Sequence, residues 1–249
     1  MADRQTDHKI QDKRIICTYP QPEPDEFSVR LEQAGANVHF MPAIEIRPIT
    51  GQLPKQLSDY NWLVFTSKNG IRSFFNQYQP AANNKIAVLG EATGHELNNF
   101  NLKASYTGTG RTGEDFAHEL KDVILPGESV LLVLGELAPD TILHQLQATN
   151  SVDRINIYQT VAPDHFDPEC VQLIESDSYD LMMISSPSAI KNLYLAFRAK
   201  ISQWRVISIG KTTTAACRNL GIEPLATAKD SSYKGLAETT IEYLQHQNS

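Results

Sequence analysis

The sequence predicts an α/β protein of two similar doubly wound parallel-sheet domains joined by a two-stranded linker. Short, continuous apolar runs alternate with amphipathic segments, a pattern typical of parallel sheets covered by helices on both faces. One strand-turn-helix element, residues 62–75, recurs at 181–194 with hydroxyl residues at the same corner. A second unit, residues 87–93 ending in Gly-x-x-Thr, recurs at 207–213. Because the repeats keep their order and spacing, they indicate two copies of one fold.

The individual elements follow from hydrophobic periodicity in chain order. A strand is expected where a short apolar run is bounded by polar or turn residues, and a helix where apolar residues recur every three or four positions. Trp62–Phe65 fits the first pattern, and the spacing of Ile71 and Phe75 fits the second, after an N-cap at Thr66 or Ser67. The predicted strands are 14–19, 37–41, 62–65, 85–89, 103–106, 129–134, 154–161, 180–184, 205–209 and 222–226, and the predicted helices are 27–34, 53–57, one through 71–75, 91–100, 114–121, 140–148, 168–175, 189–198, 212–220 and 235–245.

Two proline-punctuated segments divide the chain. Residues 42–48 are extended, and the alternating strand 154–161 runs into Ala162-Pro163. Both segments are more typical of connectors than of central strands. We therefore predict a discontinuous α/β domain of residues 1–41 plus 163–249, an inserted α/β domain of residues 48–153, and linkers at 42–47 and 154–162.

Composition argues against several classes of protein. No apolar run approaches the roughly 18 residues of a membrane span, and the polar start at residues 1–13 is not a secretory signal. The three cysteines are scattered and odd in number, which favours a reducing cytosol over a disulfide framework. The net charge of -7 argues against nucleic acid as a partner. We expect a cytoplasmic monomer that binds a small molecule and contacts neither nucleic acid nor membrane.

The repeated corners place hydroxyl groups and backbone N–H groups where parallel strands end and helices begin. Ligands of open parallel sheets bind beyond this edge, and helix N-termini favour anions. Two such domains facing each other would line a cleft suited to a molecule with several carboxylates or phosphates. Plain helix capping is the alternative for any one corner, but it does not explain the shared order. The candidate binding residues are Thr66, Ser67, Lys68, Asn69, Thr93, Ser185, Ser186, Ser188, Lys211 and Thr213.

Signals for metals, cofactors and nucleophiles are poor. The seven histidines include no pair at ligand spacing, and neither a G-x-S-x-G elbow nor a Walker A loop is present. Residues 108–113 fit G-x-G-x-x-G, but the strand before them is short and polar. A loop before a helix is therefore favoured over a dinucleotide site. Any catalysis is expected to use neither metal nor cofactor.

Tyr158 is the candidate catalytic residue because it lies in the second connector, at the floor of the predicted cleft. A phenol there could donate a proton to a leaving oxygen. A tyrosine packed on a linker strand is the alternative. Arg72 and Lys191 are further cations that could neutralise carboxylates, although exposed cations are more often solvated surface charges.

Five short motifs, in this order and spacing, resemble those of uroporphyrinogen-III synthase. The similarity runs from about residue 14 to residue 244. It implies two small α/β domains joined by a two-stranded linker, and a cofactor-free cytosolic enzyme of tetrapyrrole (heme) synthesis. The motifs are Thr-Ser-Lys-Asn-Gly at 66–70, Gly90-x-x-Thr93, Ile157-Tyr158-Gln-Thr160, Ser185-Ser186-Pro187-Ser188-Ala189 and Gly210-x-x-Thr213.

The resemblance also implies a reaction. The substrate would be hydroxymethylbilane, a linear tetrapyrrole with eight carboxylates, which loses its hydroxyl, inverts its terminal D ring through a spiro intermediate and closes as uroporphyrinogen III. By position, Tyr158 would assist departure of the hydroxyl, and Ser67, Thr93, Ser186 and Thr213 would contact the substrate. Enforced folding of the substrate would supply much of the catalysis, because the same molecule can close without inversion.

Two positions depart from the family pattern. The first strand usually ends Thr-Arg-Pro in this family, whereas here it reads Thr18-Tyr19-Pro20. The loop 135–140 has no arginine, although one is often found near the position of Asp140. Two carboxylate partners would then be missing. A paralogue that binds a tetrapyrrole or other polyanion without turnover is the alternative to the synthase, and a nucleotide-dependent enzyme using the loop 108–113 is the third interpretation.

Overall fold

The fold is that of a computed structural model, which describes residues 10–19, 26–110 and 112–247. The first nine residues of the polar start, residues 20–25, Arg111 and the last two residues lie outside these ranges. The strands are β1 (Arg14–Cys17), β2 (Asn37–Phe40), β3 (Glu45–Pro48), β4 (Trp62–Phe65), β5 (Lys85–Leu89), β6 (Tyr106–Gly108), β7 (Ser129–Gly135), β8 (Ser151–Val161), β9 (Leu181–Ile184), β10 (Val206–Ser208) and β11 (Ala226–Thr227). The α-helices are α1 (Glu26–Gln33), α2 (Lys68–Phe75), α3 (Glu91–Glu96), α4 (Gly113–Val123), α5 (Thr141–Leu146), α6 (Pro168–Glu175), α7 (Pro187–Phe197), α8 (Lys211–Asn219) and α9 (Tyr233–Gln247).

The chain divides into two compact units. Unit 1 comprises residues 1–45 and 161–249, and unit 2 comprises residues 46–160. The chain therefore passes from one unit to the other at residues 45–46 and 160–161, within the two segments predicted as linkers. Each unit is built around its own sheet, so each can be described by itself.

Unit 1 contains a five-stranded sheet in the order β11-β10-β9-β1-β2, and its neighbouring strands are parallel. Successive residues of a strand point to opposite faces. Met182 of β9 accordingly packs in a core with helices α6, α7 and α8, whereas Met183 packs on the other face with α1 and α9. Both faces are thus covered by helices, as predicted for a doubly wound sheet.

Unit 2 contains a six-stranded sheet in the order β3-β8-β7-β4-β5-β6. The neighbours from β8 to β6 are parallel. One face buries Leu63 and Phe65 against α2, and the other buries Trp62 and Val64 against α4 and α5. All four residues of β4 are buried, which explains why the strand reads as one continuous apolar run. The predicted α/β class with two parallel-sheet domains is confirmed.

Several predicted elements differ from the observed ones. The segments expected as linkers contribute β3 and β8 to the sheet of unit 2, because their main-chain groups pair with that sheet. No α-helix forms where one was expected at residues 53–57. Residues 53–56 are irregular, a 3-10 turn follows at Leu57–Asp59, and the two leucines pack against the core of unit 2. The strand expected at 222–226 pairs only from Ala226, since Pro224 cannot donate a ladder hydrogen bond.

Candidate functional site

The predicted corners lie at the carboxyl ends of neighbouring parallel strands in each unit. In unit 2, residues 66–69 follow β4, and the corner before Thr93 follows the adjacent β5. In unit 1, residues 185–188 follow β9, and the corner of Lys211 and Thr213 follows the adjacent β10. Because neighbouring parallel strands end at one edge, each unit gathers its own candidate residues along a single sheet edge.

A tyrosine of β8 reaches over the end of β7 to the corner that follows β4. The phenol oxygen of Tyr158 lies 3.1 Å from Ser67 Oγ. Between the two strands lies Gly135, the last residue of β7, which pairs with Tyr158 in the sheet register. A Cβ atom at Gly135 would lie 2.5 Å from Tyr158 Cζ. The tyrosine ring therefore occupies the space that a side chain at Gly135 would take.

Ser67 holds the start of α2 as well as the phenol. Its Oγ accepts a hydrogen bond from the backbone N–H of Gly70 at 3.0 Å, and its backbone is extended, as an N-cap requires. Thr66 and Asn69 are half-buried beside it, and Lys68 is exposed. The structure thus joins two predicted site residues, Ser67 and Tyr158, and leaves a cation at the same corner open to solvent.

Arg154 brings a guanidinium to the loop after β7, which lacks an arginine of its own. Its Nη1 pairs with Asp140, and its Nη2 lies 3.3 Å from the carbonyl oxygen of Gly135. The side chain is only 16% exposed. Sequence reasoning missed this residue because the contact depends on β8 lying beside β7. A guanidinium from β8 thus reaches this loop, where it is paired with Asp140.

Arg72 already has a carboxylate partner within unit 2, which makes it a weaker candidate for binding a ligand. Its guanidinium makes two hydrogen bonds of 2.8 Å to Glu96, which is 6% exposed. Burial would raise the pKa of Glu96, but hydrogen bonds from Arg72 and Asn99 outweigh burial and lower it. The pair ties α2 to α3 beside the corner and neutralises most of the charge of Arg72.

Thr93 and Thr213 occupy matching but enclosed positions. Thr93 is 7% exposed and lies in the first turn of α3, and Thr213 is 2% exposed and lies in the first turn of α8. In each case a glycine, Gly90 or Gly210, is the N-cap. The structure places both threonines at the predicted strand ends, with their side chains packed largely inside their units.

The serine corner of unit 1 repeats the capping geometry of Ser67. Ser186 Oγ accepts from the backbone N–H of Ala189 at 3.1 Å. The neighbouring Ser185 is different, since its Oγ is buried and has no hydrogen-bond partner among the described residues. A buried hydroxyl without a partner is costly, so Ser185 is an available donor at this edge. Ser188 is half-buried in the first turn of α7.

Tyr19 and Lys211 have contrasting surroundings in unit 1. Tyr19, at the position where the family usually has arginine, is 1% exposed and packs against Tyr233 with ring centroids 4.8 Å apart. Lys211 instead lines an open groove of about 860 Å³ together with Arg218 and Lys229. Tyr19 is therefore a core residue, whereas Lys211 is free to meet an anion.

The glycine-rich loop 108–113 already holds an internal anion. The carboxylate of Glu119 accepts hydrogen bonds from the backbone N–H groups of Thr109 and Gly110 and from the Thr109 hydroxyl. The hydroxyl of Thr109 and then its N–H lower the pKa of Glu119, which keeps that carboxyl charged. A phosphate would have to displace this carboxylate, so the geometry opposes the dinucleotide interpretation. Within the described ranges, no group of three or more His, Cys, Asp or Glu residues could hold a metal ion.

Comparison with known proteins decides the family. The family model described as uroporphyrinogen-III synthase HemD matches residues 25–238. The chain belongs to the uroporphyrinogen-III synthase family. The predicted family is thereby confirmed. Membership of this family also supports an enzyme of this kind.

Relatives of this synthase family align along most of the chain. The uroporphyrinogen-III synthase of Chlorobaculum parvum is 23% identical over 85% of this chain and 91% of its own. That of Synechococcus elongatus is 25% identical over 84% of this chain and 86% of its own. The two-unit fold is similar to the crystal structure of uroporphyrinogen-III synthetase from Helicobacter pylori, with a TM-score of 0.65 and 18% identity over 92% of this chain and 99% of that one.

Family membership alone does not assign a role to each residue. The roles of Tyr158 and the corner residues remain predictions. The contacts in the structure add Gly135 and Arg154 to the candidate site. The one sequence signal for this contact is Gly135 at the end of the buried strand β7, since glycine within a strand can mark a place where another group lies close to the main chain. None of the helices in the described part of the chain has the length and apolar character that a membrane span needs.

Proposed function

We propose that this chain is a uroporphyrinogen-III synthase, a cyclising hydro-lyase of heme synthesis. It converts hydroxymethylbilane into uroporphyrinogen III with inversion of the D ring and loss of water. The observation that carries the proposal, beyond family membership, is the Tyr158–Ser67 pair at the carboxyl edge of unit 2. We further propose that the enzyme acts as a cytoplasmic monomer without metal or cofactor.

Tyr158 is the proposed general acid for departure of the hydroxyl group. The bond from the substrate carbon to that oxygen breaks, its electron pair stays with the oxygen, and the phenol proton converts the leaving group to water. When the macrocycle closes, the attacking pyrrole carbon loses a proton, which restores the phenol. General acid catalysis of this type contributes about 10²-fold to 10⁴-fold in rate.

Ser67 directs the phenol proton toward the substrate. One lone pair of Ser67 Oγ is taken by the backbone N–H of Gly70. If the Ser67 hydroxyl donates to the phenol oxygen, the phenol hydrogen is left free to point away from Ser67, as a general acid requires. Either oxygen can be the donor in the resting pair, so substrate binding selects this arrangement without moving a side chain.

The substrate carboxylates are proposed to bind at the corners of both units. The unpartnered hydroxyl of Ser185 and the exposed cations Lys68 and Lys211 support this assignment. Backbone N–H groups of the first turns of α2, α7 and α8 add donors suited to anions. The proposed binding set remains Thr66, Ser67, Lys68, Asn69, Thr93, Ser185, Ser186, Ser188, Lys211 and Thr213. Thr93 and Thr213 are its least accessible members, at 7% and 2% exposure.

A coupled assay tests the proposal. Freshly made hydroxymethylbilane is given to the purified protein, and the oxidised products are resolved as isomers I and III. Isomer III should form in proportion to protein, and Tyr158→Phe should lower its rate by about 10²-fold. Tyr106→Phe is the matched control, because Tyr106 lies on the edge strand β6 of the same unit and its hydroxyl donates to Glu119 of α4.

The outcomes separate the competing interpretations. Only isomer I at every protein concentration would remove the synthase and leave a polyanion-binding paralogue. An undiminished rate in Tyr158→Phe would leave the synthase standing and remove the role of Tyr158. Equal losses in Tyr158→Phe and Tyr106→Phe would point to a general loss of structure.

A further inference from the structure

We propose that Gly135 is a positioning residue whose missing side chain forms the slot for the Tyr158 ring and so aligns the phenol with Ser67. The inference rests on the proposed acid role of Tyr158. Gly135 acts through the ring that lies over it.

The close contacts of a side chain at Gly135 would fall on one residue. An ideal Cβ there would lie 2.5 Å from Tyr158 Cζ, 2.7 Å from the phenol oxygen and 2.8 Å from Cε2. These are its three nearest heavy atoms, and each is closer than the 3.0 Å below which something must shift. The conflict therefore concerns the position of the phenol and not general packing of the sheet.

The sheet register is irregular between Leu134 and Gly135, but this irregularity does not itself require a glycine. Gly135 is absent from the residues with positive φ, unlike Gly90 or Gly127. Alanine could adopt its backbone angles without strain. What the position requires is space above the main chain, which is the second reason for glycine inside a strand.

The main chain around Gly135 cannot easily retreat from a new side chain. The backbone N–H of Glu136 donates to the carbonyl oxygen of Tyr158 at 2.9 Å. The Arg154 guanidinium lies 3.3 Å from the carbonyl oxygen of Gly135 and holds the loop after β7 through Asp140. The half-buried ring of Tyr158 is the part that is free to move. A methyl group at Gly135 would therefore turn the phenol away from Ser67.

Displacing the phenol should lower turnover and spare substrate binding. The candidate carboxylate-binding residues lie on other strand ends, so KM should stay within about twofold of the wild-type value. A misplacement of about 1 Å can cost about 10²-fold in rate, so kcat for isomer III should fall by about 10-fold to 100-fold in Gly135→Ala. Gly113→Ala is the matched control, because a Cβ at that glycine of the same unit meets nothing within 4 Å.

A double-variant cycle provides the decisive test. Rates of isomer III formation are measured for Gly135→Ala, Tyr158→Phe and the combination, with isomer I recorded in each. Gly135→Ala should add no further loss once the phenol hydroxyl is gone. The same loss in both backgrounds, or a wild-type kcat in Gly135→Ala, would overturn the proposal. A wild-type enzyme that makes only isomer I would instead overturn the proposed function.

Urea unfolding covers the case in which Gly135→Ala folds poorly. If the ring is the obstacle, its removal in Tyr158→Ala should relieve the strain. Adding Gly135→Ala to Tyr158→Ala should then leave the unfolding midpoint unchanged, whereas it lowers the midpoint of the wild type. An equal drop in both backgrounds would show that the slot is not made for Tyr158.

Discussion

Replacing Ser67 by alanine should destabilise unit 2 about twice as much as replacing Ser186 destabilises unit 1. Both hydroxyls cap a helix, at 3.0 Å for Ser67 and 3.1 Å for Ser186. Losing such a cap costs about 1 kcal/mol. Ser67 also loses its bond with Tyr158, which contributes about 1 kcal/mol for a neutral pair. The expected losses are therefore about 2 kcal/mol and about 1 kcal/mol.

The chain provides one tryptophan reporter for each unit. Trp62 lies in β4, and Trp204 lies just before β10. Ser67→Ala is measured in Trp204→Phe and Ser186→Ala in Trp62→Phe, each against its own parent, by fluorescence during urea unfolding. With a slope of about 1.5 kcal/mol/M, the midpoints should fall by about 1.3 M and about 0.7 M.

The phenol separates the two contributions of Ser67. In a Tyr158→Phe background, Ser67→Ala should cost only the cap, about 1 kcal/mol. Equal midpoint shifts for the two serines would refute the reasoning. So would an unchanged cost of Ser67→Ala once the phenol hydroxyl is removed.

Two further outcomes are expected from buried groups. Arg72→Leu should lower the free energy of unfolding at pH 7 by about 1 to 2 kcal/mol, because Glu96 keeps a buried charge without its partner. The loss is no larger because Arg72 itself is half exposed, so solvent screens the pair. The lowered pKa of Glu96 means that its ion pair stabilises above the ordinary glutamate pKa of about 4.3 and is lost as pH falls through the folded value. The difference in urea midpoint between Arg72→Leu and wild type should therefore shrink below about pH 4, and a constant difference would contradict the assignment. Burial raises the pKa of Cys170 to about 12 and that of Cys217 to about 11. Iodoacetamide at pH 8 should therefore label both thiols only after unfolding in urea, which mass spectrometry can check. Fast labelling of the native protein would contradict their burial.

Local sequence predicted the elements whose signals lie close together in the chain. The boundaries of β4, β5 and α6 match the predicted ones because each buried run stops at a polar corner or an N-cap. The caps by Ser67 and Ser186 follow from the same logic, since a cap reaches only three residues along the chain. Patterns of this range involve only residues that are neighbours in the chain, so the sequence shows them without knowledge of any tertiary contact.

The contact between Ser67 and Tyr158 could be predicted only from the order of strands in the sheet. Ser67 and Tyr158 are 91 positions apart, and nothing in either segment indicates that only β7 separates them. An alternating pattern predicts that β8 is a strand, but it does not say which sheet accepts it. The pairing of Arg72 was not predictable for the same reason, because its partner Glu96 lies on another helix. Charge pairing of exposed cations is a tertiary property that composition cannot reveal.

The discontinuity of unit 1 has a consequence for synthesis on the ribosome. Unit 2 is one uninterrupted stretch, so all of its sheet has been translated by residue 161. The central pairing of β1 with β9 instead joins Ile15 to Leu181, which are 166 positions apart. Until β9 emerges, the nascent chain carries β1 with one apolar edge lacking its native partner. β1 therefore waits for this partner while the whole of unit 2 is translated, and its open edge can meet other chains during that time.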